Sequence, residues 1–163
     1  MRKAALFFIL FICTINAQDQ GVKTIPDLRM ELINGQKITL QSLLEKGPVL
    51  IDFWATWCEP CKKEMIYLDK FHETYADSGL TVLSINQDSP RSLSKVKAYI
   101  RSKRFSFLVV KDPNKQIAQK LNVQVLPTTF LVLPSGNISW QHVGYLPGDE
   151  KDIEEQILKA LKQ

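Results

Sequence analysis

The segment PVLIDFWA, residues 48–55, constrains the fold more than any other stretch of the chain. It is a continuous apolar run broken only by Asp52, and it is too short for a buried helix. A run of this kind reads as a strand covered on both faces, because a strand with one wet face alternates polar and apolar residues. Such a strand needs helices above and below it, and the rest of the chain offers them. LTVLSIN (80–86) reads as a second buried strand and FSFLVV (105–110) as a third. Between them lie a helix from about Pro60 to Ala76, with Leu68, Phe71 and Tyr75 at helical spacing and Gly79 as its stop, and a second helix over 89–104. Ser89 is the expected cap of that second helix, with Pro90 at its first position. DPNKQIAQKLN (112–122) reads as a short helix. TTFLVL (128–133) and ISWQHVGYL (138–146) read as strands joined by the turn PSGN. The last sixteen residues read as a helix with Ile153, Ile157, Leu158 and Leu161 on one face and acids in its first turns. Upstream, Asn34-Gly35 marks a hairpin, and LQSLLEKG (40–47) a short helix ended by Gly47. Alternating strands and helices followed by a hairpin and a terminal helix imply an α/β fold, a mixed central sheet flanked by helices.

At 163 residues the chain is expected to form one domain. Residues 1–17 have the layout of a secretory signal: Arg2 and Lys3, an apolar run over 4–15, and a small residue at Ala17. The run is shorter than the roughly 20 residues a membrane span needs, which makes an uncleaved anchor the alternative. Residues 18–25 are then a short linker, and 26–163 the folded domain. Cys13 would leave with the signal, so the mature chain keeps Cys58 and Cys61. An exported domain of this length buries roughly 68–70% of its unfolded surface and needs no covalent staple. Net charge is +4, without an aromatic–basic pattern that would grip nucleic acid. The Lys and Arg residues between Arg91 and Lys120 read as a solvated face.

The cysteines stand in WCEPCKKE, where the first buried strand hands over to the first long helix. Sites in open α/β sheets gather at the carboxyl ends of strands. Cys58 is expected at the helix N-terminus, with Pro60 in its first turn, where a missing N–H costs nothing. Unpaired N–H groups and the helix dipole stabilise a thiolate there. Cys61 lies one helical turn on. Cys58 is thus the expected exposed nucleophile and Cys61 the buried resolving thiol. Glu59 and Glu64 favour a reducing poise by like-charge repulsion, while Lys62 and Lys63 oppose it. Asp52 is expected to be desolvated, with a raised pKa, and to accept the proton of Cys61; the alternative is a structural acid meeting a lysine or a backbone N–H. Pro127 should begin a strand. A closed zinc site would need His72 and His142 to join the cysteines, against a spacing of seventy residues. Cu(I) suits thiolates better but lacks a third ligand. No metal and no cofactor beyond the cysteine pair is expected.

Together, DFWATWCEPCKKE and VLPTTFLVLPSGN resemble the thioredoxin superfamily, and more narrowly its extracytoplasmic TlpA- and ResA-like thiol-disulfide oxidoreductases. The resemblance spans about residues 26–162. It includes the hairpin at Asn34-Gly35 and a central helix–strand insertion near 90–110. It implies that Cys58 and Cys61 form a redox-active disulfide, that Pro127 is cis, and that Trp57, Leu126 and Pro127 line a substrate groove where an extended chain can pair. It implies that Glu64 tunes the pair; the alternative is a solvent-facing acid on the helix dipole. Two departures stand out: Met65-Ile66 replace a proline common in relatives, and Ser84 occupies the place of a lysine that thioredoxins carry near the buried acid. The implied function is an exported, monomeric reductant of protein disulfides, recharged by a membrane electron donor. Cytochrome c maturation is one role the family suggests. A disulfide-forming oxidant, a copper carrier and a non-catalytic interaction module are the alternatives.

Overall fold

The computed structural model describes residues 23–163. The expected signal segment and most of the linker lie outside the described residues. The last residues of that linker are held by the domain: Ile25 is buried, its N–H donates to the Gly136 carbonyl at 2.8 Å, and the Ile138 N–H donates to the Lys23 carbonyl at 2.9 Å. Among the described residues, no helix is long and apolar enough to cross a membrane.

Five strands form the central sheet: β3 (Val49–Trp54), β4 (Thr81–Asn86), β5 (Leu108–Lys111), β6 (Thr128–Val132) and β7 (Ile138–Val143), in the order β5-β4-β3-β6-β7. The strand pairs β3–β4 and β4–β5 are parallel, whereas β3–β6 and β6–β7 are antiparallel. The hairpin strands β1 (Arg29–Glu31) and β2 (Lys37–Thr39) form a separate two-stranded sheet. Its turn reaches β5, where the Ile33 N–H donates to the Val109 carbonyl at 2.9 Å. Helices α1 (Leu40–Leu44), α2 (Glu59–Tyr75), α3 (Leu93–Lys103), α4 (Gln116–Lys120) and α5 (Glu150–Ala160) complete the domain.

Every residue of β3 is buried, as its run requires. Its side chains divide between two cores. Val49, Ile51 and Phe53 join α1, α4 and the hairpin, while Leu50 and Trp54 join α2, α3 and α5. Fully burying each such side chain contributes roughly 1.5–3 kcal/mol. Asp52, Ser84 and Thr129 each lie two residues from a member of the second core on their own strands, so all three share its face, under α2.

Three expectations need correction. The second long helix opens with a 3-10 turn at Pro90–Ser92 and becomes α-helical only at Leu93, and Ser89 makes no side-chain cap bond to the backbone. The third strand begins at Leu108, because Phe105 and Phe107 stack on each other in the preceding loop (5.1 Å) and Ser106 is tied to Asp69 through its N–H at 2.8 Å. On α5, Ile153, Ile157 and Ala160 face the core, and Leu158 is exposed. The two helix-ending glycines meet each other: a Cβ on Gly47 would lie 2.3 Å from the Gly79 carbonyl oxygen.

Candidate active site

The loop between β3 and α2 is fixed before the cysteines are reached. Buried Asp88 accepts from the Thr56 N–H and from the Thr56 hydroxyl, both at 2.7 Å, and from the Asn86 side-chain amide at 2.8 Å. Cys58 then caps α2: its Sγ accepts from the Cys61 N–H at 3.3 Å. Glu59 is the first helical residue and Pro60 the second, where the ring removes an N–H that has no intrahelical partner. Cys58 and Cys61 are joined in a disulfide with Cα atoms 5.3 Å apart. Cys58 keeps 5% of its surface exposed and Cys61 none. Cys58 is therefore the solvent-side sulfur of the pair, although less open than the sequence suggests.

The charges around the pair divide sharply. Glu59 is exposed and bound to Lys62 at 2.6 Å. The Lys62 hydrogen bond and charge hold its carboxyl below the ordinary range. Its charge is thus compensated, which weakens the repulsion expected against a Cys58 thiolate. Glu64 is fully buried, not solvent-facing on the dipole. Its Oε1 accepts from the Thr129 hydroxyl at 2.7 Å, and its Oε2 is buried without a partner. Burial pushes Glu64 up to about 7; the Thr129 bond works against that and the nearby Asp149 charge adds to it. Asp52 is also fully buried. Among the described residues neither a lysine nor a backbone N–H meets it; its one partner there is the Ser84 hydroxyl, 3.2 Å from Oδ2, and Oδ1 has none. Burial and the Glu64 charge hold Asp52 well above the usual carboxylate range, against the pull of Ser84.

The opposite rim comes from the loop before β6. The Leu126–Pro127 peptide is cis, and Pro127 directly precedes β6, as a proline without an N–H must. Leu126 is half-buried, while Trp57 is 64% and Val125 53% exposed. Trp57, Leu126, Gln87, Lys115, Gln119 and Gln124 line a cleft of about 320 Å³ beside the pair. Its apolar rim and amide-rich wall suit an extended polypeptide. The two histidines do not converge on the cysteines. His72 sits in the last turn of α2, and His142 stacks on Trp140 and meets Asp149 at 3.1 Å. Among the described residues, no three His, Cys, Asp or Glu side chains are grouped to hold a metal ion.

Sequence reasoning had not singled out Thr129, Asp88 or Asp149. The signals were present: Thr128-Thr129 are the only polar residues of β6, and the polar run Asn86-Gln87-Asp88 ends the buried strand β4.

Comparison with known proteins agrees with this geometry. Residues 22–141 match the AhpC/TSA family. The thiol-disulfide oxidoreductase ResA of Bacillus subtilis is 36% identical over 69% of this chain, a match that spans 62% of ResA's own length. The thioredoxin-like protein YneN of the same organism is 35% identical over 81% of this chain and 75% of its own. A crystal structure from Chlorobium tepidum, described as a thiol:disulfide interchange protein DsbE, superimposes with a TM-score of 0.78 at 30% identity, covering 85% of this chain and 95% of the other. The fold, the cysteine pair and these matches agree that the chain belongs to the AhpC/TSA family, among its ResA-like thiol-disulfide oxidoreductases.

Proposed function

We propose that this chain is an exported reductant of protein disulfides that acts through Cys58 and Cys61. The observation that carries the reading is the pair's position, with Cys58 capping α2 at the solvent side and Cys61 buried one turn behind, a further turn before the buried Glu64, which no cation pairs among the described residues. In the reduced enzyme, the N–H groups of the first turn stabilise the Cys58 thiolate. That thiolate attacks a substrate disulfide, forming a mixed disulfide and releasing one substrate thiolate. Cys61 then loses its proton to the buried acids and attacks the Cys58 sulfur. The Cys58–Cys61 bond forms, the second substrate thiolate leaves, and two electrons have passed to the substrate. Asp52 and Glu64 serve the Cys61 proton, and Glu59 and Pro60 shape the first turn of α2. Trp57, Leu126 and Pro127 present the groove in which an extended substrate chain lies.

The apolar N-terminal segment supports export to an oxidising compartment, either free in the periplasm or held at the membrane. A reductant working there must be recharged, and a membrane electron donor is the partner this requires. Protein thiols awaiting cytochrome c maturation are one substrate class in keeping with the ResA resemblance.

Equilibration in thiol redox buffers tests the direction. A potential near or below about −270 mV is expected for a reductant; one near about −120 mV would make the protein a disulfide-forming oxidant. Absence of a reversible couple would overturn the redox reading and favour the copper carrier or the interaction module. Cys61→Ala should trap the substrate on Cys58 as a mixed disulfide, visible by non-reducing electrophoresis.

A further inference from the structure

Asp52 and Glu64 sit on different elements but in one buried space. Asp52 lies directly opposite Thr129 in the β3–β6 register and opposite Ser84 in the β3–β4 register, so all three side chains share the sheet face beneath α2. Glu64 reaches down from α2 to Thr129. Each carboxylate thus has one oxygen held by a strand hydroxyl and one buried oxygen with no partner. Among the described residues, neither acid lies within salt-bridge distance of a lysine, arginine or histidine. Two adjacent carboxylates without a cation cannot both stay ionised away from water. A proton is the remaining way to neutralise them, and it gives a partner to the bare oxygens.

We propose that Asp52 and Glu64 share one proton through the neutral pH range as a single acid–base unit behind Cys61, and that Thr129 is the positioning residue that holds Glu64 in it. The proposal rests on the thiol–disulfide reading and adds to it. Asp52 is then not the free base that its strand position suggests, because the unit already carries a proton there. The vacant site on the unit, centred on Glu64, accepts the Cys61 proton as the Cys61 sulfur attacks Cys58. The raised titration of both acids agrees with this. Titrations coupled so closely belong to the pair and not to either member. The other groups facing the unit are Cys61 on α2, Asp149 before α5 with its partner His142, and Tyr145, whose hydroxyl donates to Glu150 and whose ring lies 6.3 Å from that of Tyr67. None of them supplies a fixed positive charge.

The test is a carbon-13 titration of the Asp and Glu carboxyls in the full chain, oxidised. Two steps are expected, the first near pH 7 and the second above it, with both carboxyl signals moving in both steps. In Asp52→Asn the Glu64 signal should show one step only, because the second proton of the pair is gone. Thr129→Val should move the Glu64 step up, because the lost hydroxyl stabilised the anion, and Thr129→Ser should restore it. In parallel, the rate at which Cys61 resolves a mixed disulfide at pH 7 should fall about 100-fold in Asp52→Asn/Glu64→Gln, at the lower end of what a lost general base costs. It should fall less in Thr129→Val, with the pH midpoint shifted upward, and stay near wild type in Thr129→Ser. The proposal is overturned if the two acids titrate independently at ordinary values. It is equally overturned if Thr129→Val leaves both the Glu64 step and the resolution midpoint in place. The titration is read on the carboxyls themselves. A chain with no reversible cysteine couple would therefore undo the proposed function, while the carboxyl signals would still show whether the proton is shared.

Discussion

Two glutamates flank the same cysteine pair, and they could hardly be placed more differently. Glu59 stands in the first turn of α2, in water, with Lys62 clasped to it. Glu64, one and a half turns on, points into the sheet, has no cation and shares its space with Asp52. In the sequence Glu59 touches the nucleophile and looks like the stronger influence. In the fold it is the weaker, since solvent and Lys62 screen it. On the proposed reading the electrostatic work falls to the acid farther along the chain, because low local dielectric magnifies whatever is buried.

The largest effect should come from removing the sulfur that both acids flank. Cys58→Ser is expected to abolish turnover of a disulfide substrate, and any substantial residual rate would make the contrast between the acids irrelevant to function.

Glu64→Gln comes next. The folded state holds the Glu64 proton to about pH 7, whereas an unfolded glutamate loses it near 4.5. Between those values the folded chain binds more protons, so its stability falls as pH rises. The accumulated cost at pH 8 is on the order of 3 kcal/mol. Denaturant titrations should therefore find Glu64→Gln more stable than the parent at pH 8 and little changed near pH 4.5. Part of the pH slope should survive in the variant, because Asp52 contributes with the same sign. Equal stabilities at the two pH values would place Glu64 in water.

The smallest effect is expected from Glu59→Gln. Lys62 holds this exposed carboxyl low, so the variant should lose only a small part of the stability that falls away in acid, opposite in sign to the Glu64 effect, and the redox potential should move slightly, by less at high salt than at low. A larger shift than that of Glu64→Gln would reverse the comparison.

Much of the framework was legible in the chain. The buried strands β3 and β4, the hairpin at Asn34-Gly35, the start of α2 at the cysteines and the strand after Pro127 all follow from local patterns. What escaped depended on partners far away in sequence. The third strand starts late because Asp69, thirty-seven residues earlier, takes the Ser106 N–H. The site divides in the same way. Cys58, Cys61 and Pro127 announce themselves by spacing and chemistry, and Asp52 by interrupting an apolar run. Whether Glu64 faces water or the sheet depends on Thr129, sixty-five residues on, and no local pattern links the two.

The docking of residues 23–25 sets the direction in which the domain faces. These residues pair at the turn between β6 and β7. By the strand registers, that turn lies beside the first residue of β3, while Cys58 follows the last. The chain thus enters at one pole and reacts at the other, like a fishing hook whose barb is turned away from its line. Anything that grips the chain ahead of Lys23 holds the domain by the end opposite Cys58.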